Sequence, residues 1–199
     1  MIAASLRLFV LAALFAWVPS TPARADWFVS PFIGLKFAGD TNIVDPERAV
    51  DQTKMTLGGS VGILSDQILG LEFDIAYVSA FFEGPDPGIL ITGSRVTTLM
   101  GNVIVAMPIG LTGKSLRPYV GGGLGLIAPR IDDEVFPVRS NLFGANVGGG
   151  AFGPISERTS LRFDLRYFKN LSGEDEPVVR GQSTQLSFWR ATVGVSLSY

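Results

Sequence analysis

Apolar residues alternate with small or polar residues along most of the chain after residue 26, and this pattern limits the fold more than any other feature. The clearest example is the stretch in which one set of positions holds Leu69, Leu71, Phe73, Ile75 and Tyr77 and the other holds Gly70, Glu72, Asp74 and Ala76. A period of two is that of a β-strand, in which successive side chains point to opposite faces. The sequence therefore predicts strands that have one apolar and one small or polar face.

Eight stretches follow this pattern, and the connections between them alternate in length. The short connections are residues 65–67, 107–116 and 154–159, and the long ones are 39–54, 79–93, 129–142 and 170–184. Segments of about ten residues suit strands that cross a bilayer at a tilt of ~45°, and short turns at one end with long loops at the other are typical of outer-membrane barrels. The pattern predicts an all-β fold, an eight-stranded antiparallel transmembrane β-barrel.

The first 25 residues have the layout of a secretory signal peptide. Arg7 precedes an apolar run at residues 8–18, and Ala23-Arg24-Ala25 forms an A-x-A cleavage site. The apolar run is too short to cross a ~30 Å hydrocarbon core as a helix. We expect cleavage after Ala25, which would leave residues 26–199 as one barrel domain that is exported to the bacterial outer membrane.

Composition excludes several classes of function. The chain contains no histidine and no cysteine, so it has no Ser-His-Asp triad, no histidine or cysteine metal site and no disulfide. A net charge of −2 disfavours nucleic acid, which binds basic surfaces. The glycine runs at 121–123 and 148–150 lack the Gly-Lys-[Ser/Thr] continuation of a phosphate-binding loop and suggest closely packed strands instead. We predict no enzymatic activity, no cofactor and no metal site.

The polar face carries charges of both signs, which a barrel would turn inward. Because the interior of an eight-stranded barrel is only wide enough for side chains or one small ligand, these charges should pair and plug the lumen. The predicted lumen network consists of Lys36, Glu72, Asp74, Asn102, Asn146, Arg162, Asp164, Arg166 and Arg190. A catalytic carboxylate pair at Glu72 and Asp74 is the alternative use of this face, and the basic neighbours disfavour it.

Aromatic residues cluster near the predicted strand ends. Amphipathic rings prefer the headgroup level of a membrane, so these residues are expected to form two interfacial girdles. The predicted inner girdle contains Trp27, Tyr119 and Tyr199, and the outer girdle contains Tyr77, Phe81, Phe143, Tyr167 and Trp189.

Two internal motifs and the C-terminus carry a family resemblance. Residues 117–125, Arg-Pro-Tyr-Val-Gly-Gly-Gly-Leu-Gly, are similar to a Pro-Tyr-Val-Gly-x-Gly strand, and Arg166-Tyr167 is similar to the pair that ends a late strand. The chain thus resembles the small outer-membrane-protein β-barrel family, which includes the OmpA-type transmembrane domain, OmpX and the opacity proteins. The resemblance implies that the last strand is read by the barrel-assembly machinery, through Val193, Val195, Leu197 and Tyr199. Most members end in Phe where this chain has Tyr199.

Three functions fit the sequence. The preferred one is a non-enzymatic outer-membrane protein with a structural or surface-interaction role, in which four long, acid-rich external loops contact an extracellular ligand and lipid surrounds the barrel. The second is a narrow pore or small-ligand carrier that uses the inward polar residues. The third is a soluble periplasmic lipocalin-like carrier, whose apolar face would point inward.

Overall fold

The computed structural model describes residues 25–41, 53–66, 68–81, 94–113, 115–131, 138–171 and 186–199. Its strands are β1 (Ala25–Thr41), β2 (Lys54–Ser65), β3 (Leu69–Ser79), β4 (Ser94–Ala106), β5 (Arg117–Ile131), β6 (Val138–Arg139), β7 (Leu142–Pro154), β8 (Thr159–Asn170) and β9 (Leu186–Ser198). One short helix, α1 (Ile109–Thr112), lies between β4 and β5. Residues 1–24 of the predicted signal peptide lie outside the described residues. Its last residue, Ala25, is the first residue of β1.

Eight of these strands form one closed antiparallel sheet. The order around the barrel is β1, β2, β3, β4, β5, β7, β8 and β9, and β9 pairs with β1. The two-residue strand β6 pairs with the end of β5. Closure gives every barrel strand two hydrogen-bonded neighbours and leaves no open edge, as a sheet in lipid requires. The predicted eight-stranded antiparallel barrel is confirmed.

The two ends of the barrel differ, as the connection lengths predict. Residues 66–68, 107–116 and 155–158 connect strands at one end, which we call the short-turn end. The longer connections join strands at the opposite, long-loop end. Among the described residues, no helix is long and apolar enough to span a membrane.

The first strand is longer than predicted. The alternation places the start of the first long loop at Gly39, whereas β1 continues to Thr41. A bulge between Phe37 and Asp40 shifts the pairing of β1 with β9, and Ala38 has a positive φ of 43°. A bulge puts the following side chains out of phase with the preceding ones, so the period-two pattern ends before the strand does.

The apolar face of each strand points outward. Along β3, burial alternates at every residue, so that Leu71 and Phe73 are exposed whereas Glu72 and Asp74 are buried. Exposed apolar side chains continue around the barrel, for example at Leu57, Val103, Val120, Val147, Phe163 and Val195. This inverts the arrangement of a water-soluble barrel, in which the apolar face is inside.

Two apolar clusters fill the ends of the lumen. The short-turn cluster consists of Phe28, Ile104, Ala106, Tyr119 and Phe152. The long-loop cluster consists of Val78, Phe81, Val96, Met100, Ile127, Leu142, Phe168, Leu186 and Phe188. The girdle predictions for Tyr119 and Phe81 are therefore wrong, because both side chains are buried in the lumen. Tyr119 points inward since its neighbour Val120 points outward.

Candidate functional site: the charged layer of the lumen

A layer of charged and polar side chains crosses the lumen between the two apolar clusters. The structure buries the whole predicted network, namely Lys36 of β1, Glu72 and Asp74 of β3, Asn102 of β4, Asn146 of β7, Arg162, Asp164 and Arg166 of β8, and Arg190 of β9. Each of them lies at an inward position of its strand, so that all of them point into the lumen.

Glu72 is at the centre of the larger ion cluster. Its Oε1 accepts hydrogen bonds from Arg166 Nη2 at 2.7 Å and from Asn102 Nδ2 at 3.1 Å, and its Oε2 forms an ion pair with Arg162 Nη1. Asn102 Oδ1 in turn accepts a hydrogen bond from Asn146 Nδ2 at 2.7 Å. One carboxylate from β3 thus engages two guanidinium groups of β8.

Asp164 is the second carboxylate of this cluster. It accepts hydrogen bonds from Arg166 Nε at 2.9 Å and from the hydroxyl of Tyr119 at 2.5 Å. Arg162 donates through Nε to the Tyr119 hydroxyl at 2.8 Å and through Nη1 to Ser60 Oγ at 3.0 Å. Two arginines are therefore balanced by two carboxylates, and hydroxyl groups take part of the remaining hydrogen-bonding capacity, as buried charges require.

A separate ion pair joins Asp74 and Arg190. Arg190 Nη1 and Nη2 donate to the two carboxylate oxygens at 3.0 and 2.9 Å, which is the bidentate geometry that gives such pairs their strength. The guanidinium carbon also lies 4.6 Å from the ring centroid of Phe168 and 5.1 Å from that of Phe32. The aromatic rings supply a favourable environment for the cation where water is excluded.

Lys36 is the fourth cation of the layer and lies nearest to the long-loop cluster. Its side chain is completely buried, and Nζ lies 4.5 Å from the ring centroid of Phe81. The position of Phe81 inside the barrel thus has a physical reason, since its ring faces a buried ammonium group.

Three hydroxyl residues of the network were missed by sequence reasoning: Tyr119, Ser60 and Thr98, whose Oγ1 lies 3.5 Å from Arg190 Nη1. Their strand parity was the available signal, because each lies between two outward-facing positions. The predicted network includes only charged residues and asparagines. For that reason the hydroxyl partners of Arg162 and Arg190 were overlooked.

One cavity inside the charged layer is very small. A cavity of about 10 Å³ lies between Phe32, Asp74, Arg162, Asp164, Arg190, Thr192 and Gly194. This is room for about one water molecule. Arg190 Nε is buried without a hydrogen-bond partner among the described residues. The cavity is too small for a hydrated ion or an organic ligand.

Inward glycines make room for the large side chains of the cluster. A Cβ atom at Gly148 would lie 2.7 Å from Cα of Arg166 and would overlap the carbonyl oxygen of Leu165. A Cβ atom at Gly150 would lie 2.7 Å from the hydroxyl of Tyr119. These glycines allow β7 and β8 to approach closely beneath the arginines.

The contacts of the buried carboxylates do not favour catalysis or metal binding. Both carboxylates of the alternative catalytic pair, Glu72 and Asp74, are engaged by arginines and lie between apolar clusters. In the part of the chain that the structure describes, no group of three or more acidic residues could hold a metal ion. The arrangement is suited to filling and locking the lumen.

Solved structures with the same architecture identify the fold. The chain is similar to Neisserial surface protein A, with 13% identity and a TM-score of 0.62 over 88% of this chain and 99% of that one. It is similar to the N-terminal β-barrel domain of Pseudomonas aeruginosa OprF, with 20% identity and a TM-score of 0.54 over 87% and 97%. The chain has the fold of the small outer-membrane β-barrels.

A third structure, the outer membrane protein OprG from Pseudomonas aeruginosa, has 12% identity and a TM-score of 0.55 over 89% of this chain and 97% of that one. No protein-family model and no curated protein sequence matches the chain. The similarity to these structures therefore shows the fold of the chain alone.

The predicted assembly signal lies at the end of the last barrel strand. Val193, Val195 and Leu197 are outward residues of β9, and Tyr199 follows the strand and is largely exposed. The backbone N–H of Tyr199 donates to the carbonyl oxygen of Trp27 at 2.9 Å. Recognition of these residues by the assembly machinery stays a prediction.

Proposed function

We propose that this chain is a non-enzymatic protein of the bacterial outer membrane that has a closed lumen and contacts other molecules through its long-loop end. The observation that carries the proposal is the interior, in which a charged layer lies between two apolar clusters. Among the described residues, this filling argues against a passage through the barrel, and the pocket at its short-turn mouth, lined by Phe28, Arg117 and Phe152 among others, has a volume of only about 170 Å³. The surface that remains for interaction is then outside the barrel.

The long connections provide that surface. They join strands at one end of the barrel, and the predicted long loops hold twelve of the eighteen acidic residues of the sequence. Asp40, one of these twelve, lies near the end of β1. An N-terminus released on the periplasmic side puts the short turns in the periplasm and the long connections outside the cell. The proposed role is structural support or binding of an extracellular partner.

The outward apolar surface favours membrane insertion over the lipocalin-like alternative. A soluble carrier would bury Leu71, Phe73 and their neighbours around a ligand, whereas here these side chains are exposed and the charges are inside. A barrel with an apolar exterior and a charged interior is unfavourable in water, whereas the same arrangement is the one found for barrels in lipid.

Cysteine labelling of whole cells tests both the location and the orientation. The chain has no cysteine, so Asp86→Cys and Ser156→Cys each introduce a single thiol, in a long connection and in a short turn. We expect a membrane-impermeant maleimide to label Asp86→Cys on intact cells and Ser156→Cys only after the outer membrane is permeabilised. Outer-membrane fractionation and a mobility shift between boiled and unboiled gel samples should accompany the labelling. Recovery of the protein in the soluble periplasm would contradict the proposal.

Conductance separates the closed barrel from the narrow pore. We expect the refolded protein to leave the current across a planar lipid bilayer at baseline, because the ion pairs and both apolar clusters would have to move to admit an ion. A known porin in the same bilayer serves as the positive control. Discrete current steps that scale with protein concentration would overturn the closed lumen and favour the pore.

A further inference from the structure

The turn between β4 and β5 differs from the other two short turns because it is long and apolar. It covers residues 107–116 and includes α1. Met107, Leu111 and Leu116 are 48%, 77% and 56% exposed. Several large apolar side chains that are exposed together on one turn indicate a contact surface.

The turn has a defined conformation. Arg117 is buried and donates through Nε to the carbonyl oxygen of Met107 and through Nη2 to that of Ser65, both at 2.7 Å. The N–H of Ile109 donates to the carbonyl oxygen of Asp66 at 2.9 Å. These bonds hold the β4–β5 turn against the neighbouring short turn, so its apolar side chains are presented in fixed positions.

The exposed side chains of the turn continue the lipid-facing surface of the barrel. The N–H of Met107 donates to the carbonyl oxygen of Pro118 at 2.9 Å, which extends the β4–β5 pairing beyond the strand end. Met107 lies two positions after the outward-facing Val105 of β4, so strand parity predicts that it also faces outward. Leu116 lies two positions before Pro118 and four before Val120, which faces outward on β5. The apolar surface of β4 and β5 thus runs into the turn without a polar break.

The length of this row places the turn at the membrane boundary. From Leu116 to Leu126 the outward row covers about ten residues, or roughly 34 Å along a strand. At a tilt of ~45° this is about 24 Å of height, which matches the ~25 Å apolar band of an outer-membrane barrel. Leu111, which lies farther out in the turn than Leu116 and is 77% exposed, is then at the level of the lipid headgroups. Ile109 instead lines a pocket at the mouth of the lumen, together with Phe28 and Phe152.

The exposed aromatic residues of the short-turn end lie on the opposite side of the barrel. Trp27 and Tyr199 are 57% and 76% exposed, and the two residues are joined by a backbone hydrogen bond. Their strands, β1 and β9, are adjacent, and β1 is four places from β5 in the closed order of eight. An interfacial aromatic anchor therefore lies on one side, and the β4–β5 turn lies diametrically across from it.

We propose that the β4–β5 turn is a second, aliphatic membrane anchor, which inserts Leu111 and its neighbours into the boundary between headgroups and acyl chains of the periplasmic leaflet. This inference rests on the membrane insertion proposed above. The occupant of the apolar surface is phospholipid, because the surface is continuous with the lipid-facing wall. With an anchor on each side, the barrel resists tilting in the membrane.

Nitroxide labelling of single cysteines measures this directly. Leu111→Cys and Leu116→Cys report on the turn, Val120→Cys is the reference for lipid, and Ser156→Cys, in the short turn between β7 and β8, is the reference for water. The labelled proteins are refolded into phosphatidylcholine–phosphatidylglycerol vesicles, and relaxation by oxygen is compared with relaxation by a water-soluble nickel chelate. We expect oxygen to dominate at residues 111 and 116, at a shallower depth than at residue 120, and nickel to dominate at residue 156.

Each outcome has a separate meaning. If the labels at residues 111 and 116 respond like the one at residue 156 while residue 120 reports lipid, the anchor is wrong and membrane insertion stands. If both labels of the turn are shielded from oxygen and from nickel, the surface is covered by protein, which also overturns the anchor. If residue 120 itself reports water, the proposed insertion fails.

Discussion

Replacement of Glu72 by alanine is expected to lower the free energy of unfolding by about 3–5 kcal/mol, the range for removing one partner from a buried ion pair. Glu72 engages Arg162 and Arg166 in the charged layer. Without it, both guanidinium groups depend on Asp164 alone, and one positive charge stays buried without compensation. Asn102 also loses its carboxylate acceptor.

Urea unfolding in detergent micelles, followed by tryptophan fluorescence and by the unboiled gel band, measures this loss. Glu157→Ala is the matched control, because Glu157 is an exposed carboxylate in a short turn. Its effect should stay within about 0.5 kcal/mol, as for most surface substitutions. A Glu72→Ala variant as stable as Glu157→Ala would mean that the ion cluster does not hold the lumen together.

Replacement of Gly148 by alanine is expected to destabilise the barrel by about 1–3 kcal/mol, as overpacking of a filled interior does. The new methyl group would meet the backbone of β8 at Leu165 and Arg166. Because that backbone is held in the sheet on both sides, it cannot move away as a flexible side chain could. The arginine above it would be displaced from Asp164 and Glu72.

Gly101→Ala is the matched control for the inward glycine. Gly101 is also in mid-strand, but it faces outward, and a Cβ atom there would meet only the carbonyl oxygen of Leu124 at 3.9 Å. We expect this variant to be neutral or more stable by about 0.5–1 kcal/mol, since glycine weakens a strand relative to alanine. The same urea titration compares both variants. Equal stability of the two would contradict the close packing of β7 and β8.

The charged layer has a structural consequence beyond stability. Glu72 on β3 reaches Arg166 on β8 across the lumen, and Asp74 reaches Arg190 on β9. A shift of either strand by one residue would turn its charges to the outer surface of the barrel. The ion pairs thus favour one register of the closed sheet.

The sequence by itself predicted the strands, the alternation of connection lengths and most of the inward charges, although it missed the buried Arg117. These follow from strand parity, a local property that each stretch of residues carries on its own. The exposure of Leu71 and Phe73 and the burial of Glu72 and Asp74 are visible in consecutive residues of β3. The bulge near Ala38 marks the limit of this reasoning, since an extra residue breaks the local phase.

Only the tertiary structure decided which charges pair, how the lumen is closed at its ends, and that Tyr119 and Phe81 belong inside it. Glu72 and Arg166 are 94 residues apart in the chain, and Asp74 and Arg190 are 116 apart. Strand parity determines whether a side chain points inward, but it does not determine the height of that side chain in the barrel. That height depends on the stagger of all eight strands around the closed sheet, a property of the whole assembly rather than of any one segment.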